Sequence, residues 1–380
     1  MRVLHVYKTA LPESVGGIEQ VVHTLATKSQ AHGIASEVLA LCADASHAGT
    51  IHHAGYTLHR FQRNFELASM PVSLRLLRHY TQLTQHADLI HYHYPWPFMD
   101  ILHFSLPTKP ASVVSYHADI VRQRQLLRLY RPLQSRFLQS VDKIVATSPN
   151  YLASSKVLHE YRAKVSVIPI GLDLPASEHQ PTQQRKKAWR QRLGPRFFLF
   201  VGVLRYYKGL EFLLQAAQGT QLPIAIVGDG PQAAQLQRLA QHYGLQHVHF
   251  LGRLDEADKH ALLTLCEALV FPSHLRSEAF GLSLLEAAMH AKPMISCEIG
   301  TGTSFVNIDG ETGLVVAPGD VMALRNAMYT LWNQPCLAAT YGRQAFERYR
   351  QFFTANSMVM SYKNLYHEVF NGNSHCLAKK

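Results

Sequence analysis

Residues 277–286 read SEAFGLSLLE, with Glu278 and Glu286 flanking an apolar run headed by Gly281. The run leaves a loop, FPSHLRSEAFG, and enters a helical pattern, GLSLLEAAMHA. A helix mouth there offers backbone N–H groups with no intrahelical partner and the positive end of the helix dipole. Both favour an anion, most often a phosphate. Carboxylates beside such a cradle suit a ligand that is phosphorylated and rich in hydroxyls, as a nucleotide sugar is. Glutamates also sit near helix starts simply to complement the dipole. The reading therefore depends on what surrounds the stretch.

Working outward, short apolar runs alternate with helical patterns, the arrangement that builds parallel sheets. Upstream and downstream of the stretch lie FFLFVGVL (197–204), PIAIVGDG (223–230), HVHFLGRL (247–254), EALVFPS (267–273), KPMISCE (292–298) and TGLVVAP (312–318). The first half repeats the pattern with VLHVY (3–7), SEVLALC (36–42), ADLIHYH (87–93), ASVVSYH (111–117), DKIVATS (142–148) and KVSVIPIG (164–171). A helical segment, IEQVVHTLATKSQAHG, ends at Gly33. The fold class is α/β, with two doubly wound parallel-sheet domains whose ligands bind at the carboxyl ends of the strands, in the cleft between them. The expected domains are 1–175 and 197–349, joined by a polar, proline-containing linker at 176–196.

Composition agrees with two globular domains. The chain has 380 residues, 47% of them hydrophobic and 17% charged. No stretch reaches the roughly 18 to 20 unbroken apolar residues of a membrane span. The opening MRVLHVYKTA reads as a first strand, not a secretory signal. Five scattered cysteines without CxxC spacing support neither a disulfide framework nor a zinc site, and a reducing cytoplasm is the expected home. A net charge of +11 calls for an acidic partner. From Arg122 to Arg136 there are five arginines and no acids, with Leu126, Tyr130, Leu133 and Phe137 at helical spacing and Pro132 expected to kink or interrupt the helix. Arg60, Arg63, Arg75 and Arg78 form a second patch among Phe61, Phe65, Leu74, Leu76 and Leu77. Such segments lie on an anionic membrane face or are solvated helices with a core-facing stripe; both readings stand. No nucleic-acid motif accompanies the charge, so nucleic acid is not expected as a partner.

Four smaller features point to strand ends. Gly16 and Gly17 precede a helix starting near Ile18, where glycine lets backbone approach a ligand. Arg205 and Lys208, in VGVLRYYKGL, follow the first strand of the second half, where two cations can neutralise a diphosphate or simply decorate a turn. Gly228 opens IVGDGP, which mimics a dinucleotide fingerprint but lies on the second strand, runs at once into Pro231 and lacks the ribose-binding acid, so a nicotinamide site is disfavoured. His117 and Asp119 end the strand VVSYHAD. His91 and His93 share one strand face by alternation, but no carboxylate or cysteine lies in the same motif, so no metal is expected.

Together and in this order, GG (16–17), SYHAD (115–119), VLRYYKG (203–209), VGDGP (227–231), FLGRL (250–254) and SEAFGLSLLE resemble the retaining glycosyltransferases of family 4. The resemblance covers nearly the whole chain. It implies the GT-B architecture of two Rossmann-like domains facing across a cleft, with a C-terminal helix, about 350–375, crossing back onto the first. It implies that Glu286 binds the nucleotide ribose, and that Glu278 with the backbone of Phe280, Gly281 and Leu282 holds the donor sugar and phosphates. Arg205 and Lys208 would bind the diphosphate, and Arg253 and Leu254 would seat the base; the Gly228 turn, read on its own residues, suits the lining of a nucleotide pocket. His117 would contact the transferred sugar, and Gly16 and Gly17 would close over phosphates or acceptor.

After CEIG, where many members carry a glycine pair and an acid, this chain has Thr301, Thr303 and Ser304. That variant, with HYHYPWPFMD (91–100), is similar to bacterial mannosyl- and rhamnosyltransferases of surface polysaccharide synthesis. It implies a GDP-linked mannose or rhamnose donor, no required cofactor or metal, a lipid-linked glycan acceptor in O-antigen synthesis, and a peripheral position on the inner face of the cytoplasmic membrane. A nucleotide-sugar epimerase of the same architecture is the alternative.

Overall fold

The computed structural model describes residues 1–67, 70–108, 110–120, 124–174 and 180–377. The chain divides into two compact units, Met1–Gly171 with Ala355–Lys380, and Leu172–Thr354.

The second unit is built on six parallel strands, and it holds residues 277–286. In unit 1 the strands are β1 (Arg2–Val6), β2 (Ala35–Cys42), β3 (Gly49–His53), β4 (Tyr56–Gln62), β5 (Phe65–Leu67), β6 (Met70–Val72), β7 (Leu89–Tyr94), β8 (Ala111–Tyr116), β9 (Lys143–Ala146) and β10 (Val165–Val167). In unit 2 they are β11 (Phe198–Val201), β12 (Ile224–Val227), β13 (Val248–Gly252), β14 (Ala268–Phe271), β15 (Met294–Cys297) and β16 (Gly313–Val316). The unit 2 sheet runs β13-β12-β11-β14-β15-β16, so the strand order reverses between β11 and β14. That reversal splits the loops at the carboxyl edge and opens the crevice in which doubly wound sheets hold ligands. Strands β11, β12, β14 and β15 are buried at every position, as parallel strands covered by helices on both faces must be. Replacing one such side chain, Phe200 for example, by alanine costs about 3 to 5 kcal/mol.

The unit 1 sheet runs β10-β9-β8-β7-β1-β2-β4-β3, parallel except for the β3–β4 pair. Its reversal lies between β1 and β7. Register sets His5 beside His91 and His93 beside Ser115, so these polar groups share one sheet face. The helix Ala355–Leu377 covers that face: Tyr366 meets His91 at 2.7 Å and Tyr362 meets Ser115 at 2.6 Å.

Several elements differ from expectation. The segment 176–196, expected as linker, holds the helix Gln183–Leu193, capped by Thr182, whose hydroxyl accepts from the Arg185 N–H. Trp189 and Leu193 on it are buried, and the Trp189 indole donates to Asp258 at 3.0 Å. With only that pair buried on a helix rich in arginine and lysine, no apolar stripe marks it in the sequence. Residues 175–179 lie outside the described residues. Strands β3 to β6 have no counterpart among the expected runs: β3 is an exposed antiparallel edge rich in histidine, and β5 and β6 are only three residues each. The helix Arg124–Ser140 passes through Pro132 without a break. Arg128, Arg131 and Pro132 are all exposed, so water can bond the carbonyl that proline leaves unpaired. Arg122 lies outside the described residues.

Candidate functional site

The loops after β11 and β14 meet because Gly209 has none of the bulk that would keep them apart. It adopts φ 66°, and a Cβ there would stand 2.1 Å from the Pro272 carbonyl oxygen. This approach brings Lys208, from the turn Tyr206–Lys208, onto the carboxylate of Glu278. Both side chains are nearly buried, and Ser273 donates to the same Glu278 oxygen at 3.2 Å. The Lys208 ammonium also lies 4.6 Å from the centre of the Phe271 ring. A short apolar wall, one cation and one carboxylate thus stand at the strand-order reversal. Arg205, two residues beyond Val203 on the same loop, is exposed.

Gly281 precedes the helix Leu282–Met289, and no side chain caps that helix start. Its first N–H groups are left for a ligand or water. Ser283 donates to the Val201 carbonyl at 2.8 Å, stapling the helix mouth to the end of β11. Phe280 is buried, edge-on to Phe353 at 6.2 Å, which leaves its backbone as the part able to contact a ligand.

Glu286, one turn further along, is buried and bonds Lys259 at 2.7 Å. Lys259 also pairs with Glu256 at 2.7 Å. Burial alone would lower the Lys259 ammonium, but the two glutamates hold it above its ordinary value. The His260 hydrogen bond and Lys259 pull Glu256 down to about 2. Lys259 was not among the expected residues. Its sequence setting, DEADKH, carries only the local signal of acids at a helix start, and nothing there points to Glu286.

Gly228 follows β12 with φ 130°, and a Cβ would stand 1.9 Å from the Gly202 carbonyl oxygen, so only glycine lets these two loops touch. Arg253 and Leu254 follow β13, the first exposed and the second half-buried. Thr301 and Thr303 are buried, and Thr303 donates to the Cys297 carbonyl at 3.3 Å.

In unit 1, Gly16 immediately precedes the helix Gly17–Lys28, and a Cβ on it would meet the Glu19 carboxylate at 2.5 Å. Glu19 is buried and accepts from Thr9 at 2.9 Å and Ser14 at 2.8 Å, which ties the loop down. His117 follows β8, is buried, and bonds His93 at 3.1 Å; burial lowers it to about 4. Asp119 accepts from Tyr116 at 3.0 Å and Ser155 at 2.9 Å. Among the described residues one set of metal-capable side chains lies close together, His5, His91 and His93. Both nitrogens of His91 are engaged, by Tyr366 and Ser115, and both of His93, by His5 and His117. The set is wired as a hydrogen-bond network. His5 and His117 join it through strand register, which the sequence alone does not reveal.

Two family patterns match the chain, one described as glycosyl transferases group 1 over residues 181–348 and one as glycosyltransferase family 4 over residues 15–175. The D-rhamnosyltransferase WbpZ of Pseudomonas aeruginosa is 56% identical over 355 residues, covering 93% of each chain. This chain belongs to glycosyltransferase family 4. The O-antigen chain mannosyltransferase C of Escherichia coli is 49% identical to this glycosyltransferase, over 96% of its length and 98% of the relative's. Among solved structures, the sucrose-phosphate synthase of Thermosynechococcus elongatus superposes with a TM-score of 0.81 at 22% identity, over 98% of this chain and 99% of that one. That likeness establishes the GT-B fold. Neither close relative is an epimerase, and the isomerase alternative has no support. Among the described residues, no helix of the glycosyltransferase is long and apolar enough to cross a membrane.

Proposed function

We propose that the enzyme transfers mannose or rhamnose from a GDP-linked donor to a hydroxyl of a lipid-linked glycan, with retention at the anomeric carbon, during O-antigen synthesis. The observation that carries this reading is the convergence of Lys208, Glu278 and the uncapped start of helix Leu282–Met289 at the strand-order reversal of unit 2. The names of the two close relatives support the sugar and the polysaccharide.

The difficult step is departure of the nucleoside diphosphate, on which negative charge accumulates. Lys208, Arg205 and the N–H groups of Gly281 and Leu282 would stabilise that charge without reorganising, the arrangement that lowers such barriers most. Removing one of these groups commonly costs about 3 kcal/mol, or a factor of ~10² in rate. Glu286 would accept from the ribose hydroxyls, releasing Lys259 to Glu256. Glu278, held by Lys208 and Ser273, would accept from hydroxyls of the transferred sugar. Arg253 and Leu254 would seat the base beside the Gly228 turn. His117 would contact the sugar, and Gly16 and Gly17 the phosphates or the acceptor. The leaving phosphate would take the acceptor proton on the face it departs from.

A peripheral position on the inner face of the cytoplasmic membrane fits the exposed side of helix Arg124–Ser140. Leu126 and Leu129 are exposed there beside Arg128, Arg131 and Arg136. A separate hollow of about 390 Å³ between this helix and residues 157–161 is lined by Arg128, Arg131, Gln134, Glu160 and Tyr161, two cations and one acid, and is roomy enough for a phosphate headgroup. Thermal shift with GDP-mannose, GDP-rhamnose, UDP-glucose and UDP-N-acetylglucosamine tests the donor. Stabilisation by a UDP sugar alone would overturn the GDP assignment.

A further inference from the structure

Three imidazoles of unit 1, those of His5, His93 and His117, form a row with a direction. His5 Nδ1 lies 3.2 Å from His93 Nε2, and His93 Nδ1 lies 3.1 Å from His117 Nε2. The ring planes meet at 25° and 12°, with centroids 5.5 and 5.4 Å apart. Each centroid separation exceeds its nitrogen–nitrogen distance by just the two ring radii, so the rings lie edge to edge and not face to face. Two ring nitrogens meet no hydrogen-bond partner among the described residues, His5 Nε2 at one end and His117 Nδ1 at the other.

A proton count fixes what the ends must be. Burial lowers His5 to about 3 and His117 to about 4, and His93 falls well below its ordinary value, so all are neutral near pH 7. A neutral imidazole has one N–H and one lone pair. With the row's two internal bonds made, one N–H remains at one end and one lone pair at the other, and every ring shares the same tautomer. Both end nitrogens are buried, but His5 lies wholly inside on the central strand, whereas His117 follows β8 at the carboxyl edge, where strand-end loops can part for a ligand. An N–H at His5 would stay orphaned permanently, and an orphaned buried donor is rarer than an orphaned acceptor. The lone pair therefore belongs to His5, and the N–H to His117.

We propose that His93, backed by His5, is a positioning residue that fixes His117 as a neutral Nδ1–H donor to an oxygen of the bound sugar. The identity of that ligand rests on the function proposed above; the row itself does not. No net proton moves along it, because a proton accepted at His117 would leave an imidazolium where burial opposes charge. His117 is thereby a donor and not a base.

The test labels the histidine rings with 15N and assigns three signals among 23 histidines by single substitution. Two-bond nitrogen–proton correlations then separate Nδ1–H from Nε2–H. His5, His93 and His117 should all show Nδ1–H, the reverse of what an imidazole prefers free in water. His93→Phe should return His117 to the Nε2–H form and lower kcat about tenfold or more, one hydrogen bond to the reacting sugar, while affinity for the nucleotide sugar chosen by the donor screen stays within about twofold. His93→Gln, which offers one donor and one acceptor, should restore the tautomer and most of kcat. If His93→Phe does not fold, the unsubstituted protein and the Gln variant still decide. An Nε2–H form at any of the three in the unsubstituted protein overturns the proposal. So does a folded His93→Phe with unchanged kcat, or one tightly held zinc per chain. A protein with the ordered row that transfers no hexose refutes the sugar-transfer reading alone.

Discussion

Replacing Lys208 by methionine separates what this side chain does for stability from what it does for chemistry. Lys208 and Glu278 are about one-tenth exposed, at 10% and 12% of their side-chain surface. Removing the ammonium leaves the Glu278 carboxylate buried with Ser273 as its remaining donor. Breaking one side of a buried pair costs about 3 to 5 kcal/mol. For a unit of this size that corresponds to a fall in Tm of roughly 6 to 20 °C. Adding Glu278→Gln neutralises the stranded charge, and the double variant should recover stability to within about 1 kcal/mol, since exchanging both partners is often neutral. Turnover should behave differently. It should fall about 100-fold in the single variant and stay low in the double, because the cation proposed to face the leaving group is missing in both. Calorimetric melting and initial rates at saturating nucleotide sugar measure the two quantities. If turnover returns together with stability in the double variant, Lys208 is a structural residue and the leaving-group argument fails.

Glu286→Ala should weaken nucleotide sugar binding about 10- to 100-fold, the worth of one charge-assisted hydrogen bond, and unchanged affinity by calorimetry would remove Glu286 from the ribose site. The buried histidines set a pH limit. Their folded values lie below the unfolded one, so their contribution is complete above about pH 6.5 and is lost as pH falls toward 3 to 4. At pH 5 each of His5 and His117 withdraws about 2 kcal/mol, and a flat Tm between pH 7 and 5 would contradict their neutral burial. Exchanging Arg128, Arg131 and Arg136 for glutamine should reduce binding to anionic vesicles about 100-fold at low salt, from about 1 kcal/mol per arginine. Equal binding by the variant would make that helix an ordinary solvated surface.

Lys208 and Glu278 were each singled out in the sequence as ligand-binding residues, but not as partners of one another across 70 positions. Each sits beside a local signal, cations after an apolar run and a glycine-headed helix start, and the strand-order reversal joins the two. The partner of Glu286 was not legible. Lys259 answers to Glu256 three residues away, and that local pairing hides the distant one. His91 and His93 could be assigned to one face by alternation, but His5 and His117 enter through register between strands, which is a property of pairing and not of any single segment. The helix Gln183–Leu193 was not legible for a different reason: only Trp189 and Leu193 are buried on it, too little to mark a stripe.

Ribosomes release this polypeptide in order, yet the helix Ala355–Leu377 that seals the histidine-bearing face of the N-terminal sheet follows the entire second unit. While synthesis continues, His91 and Ser115 have no tyrosine hydroxyls to meet. The N-terminal half therefore cannot finish maturing first, against the usual vectorial sequence. Its completion waits on residues synthesised after the whole of the second unit.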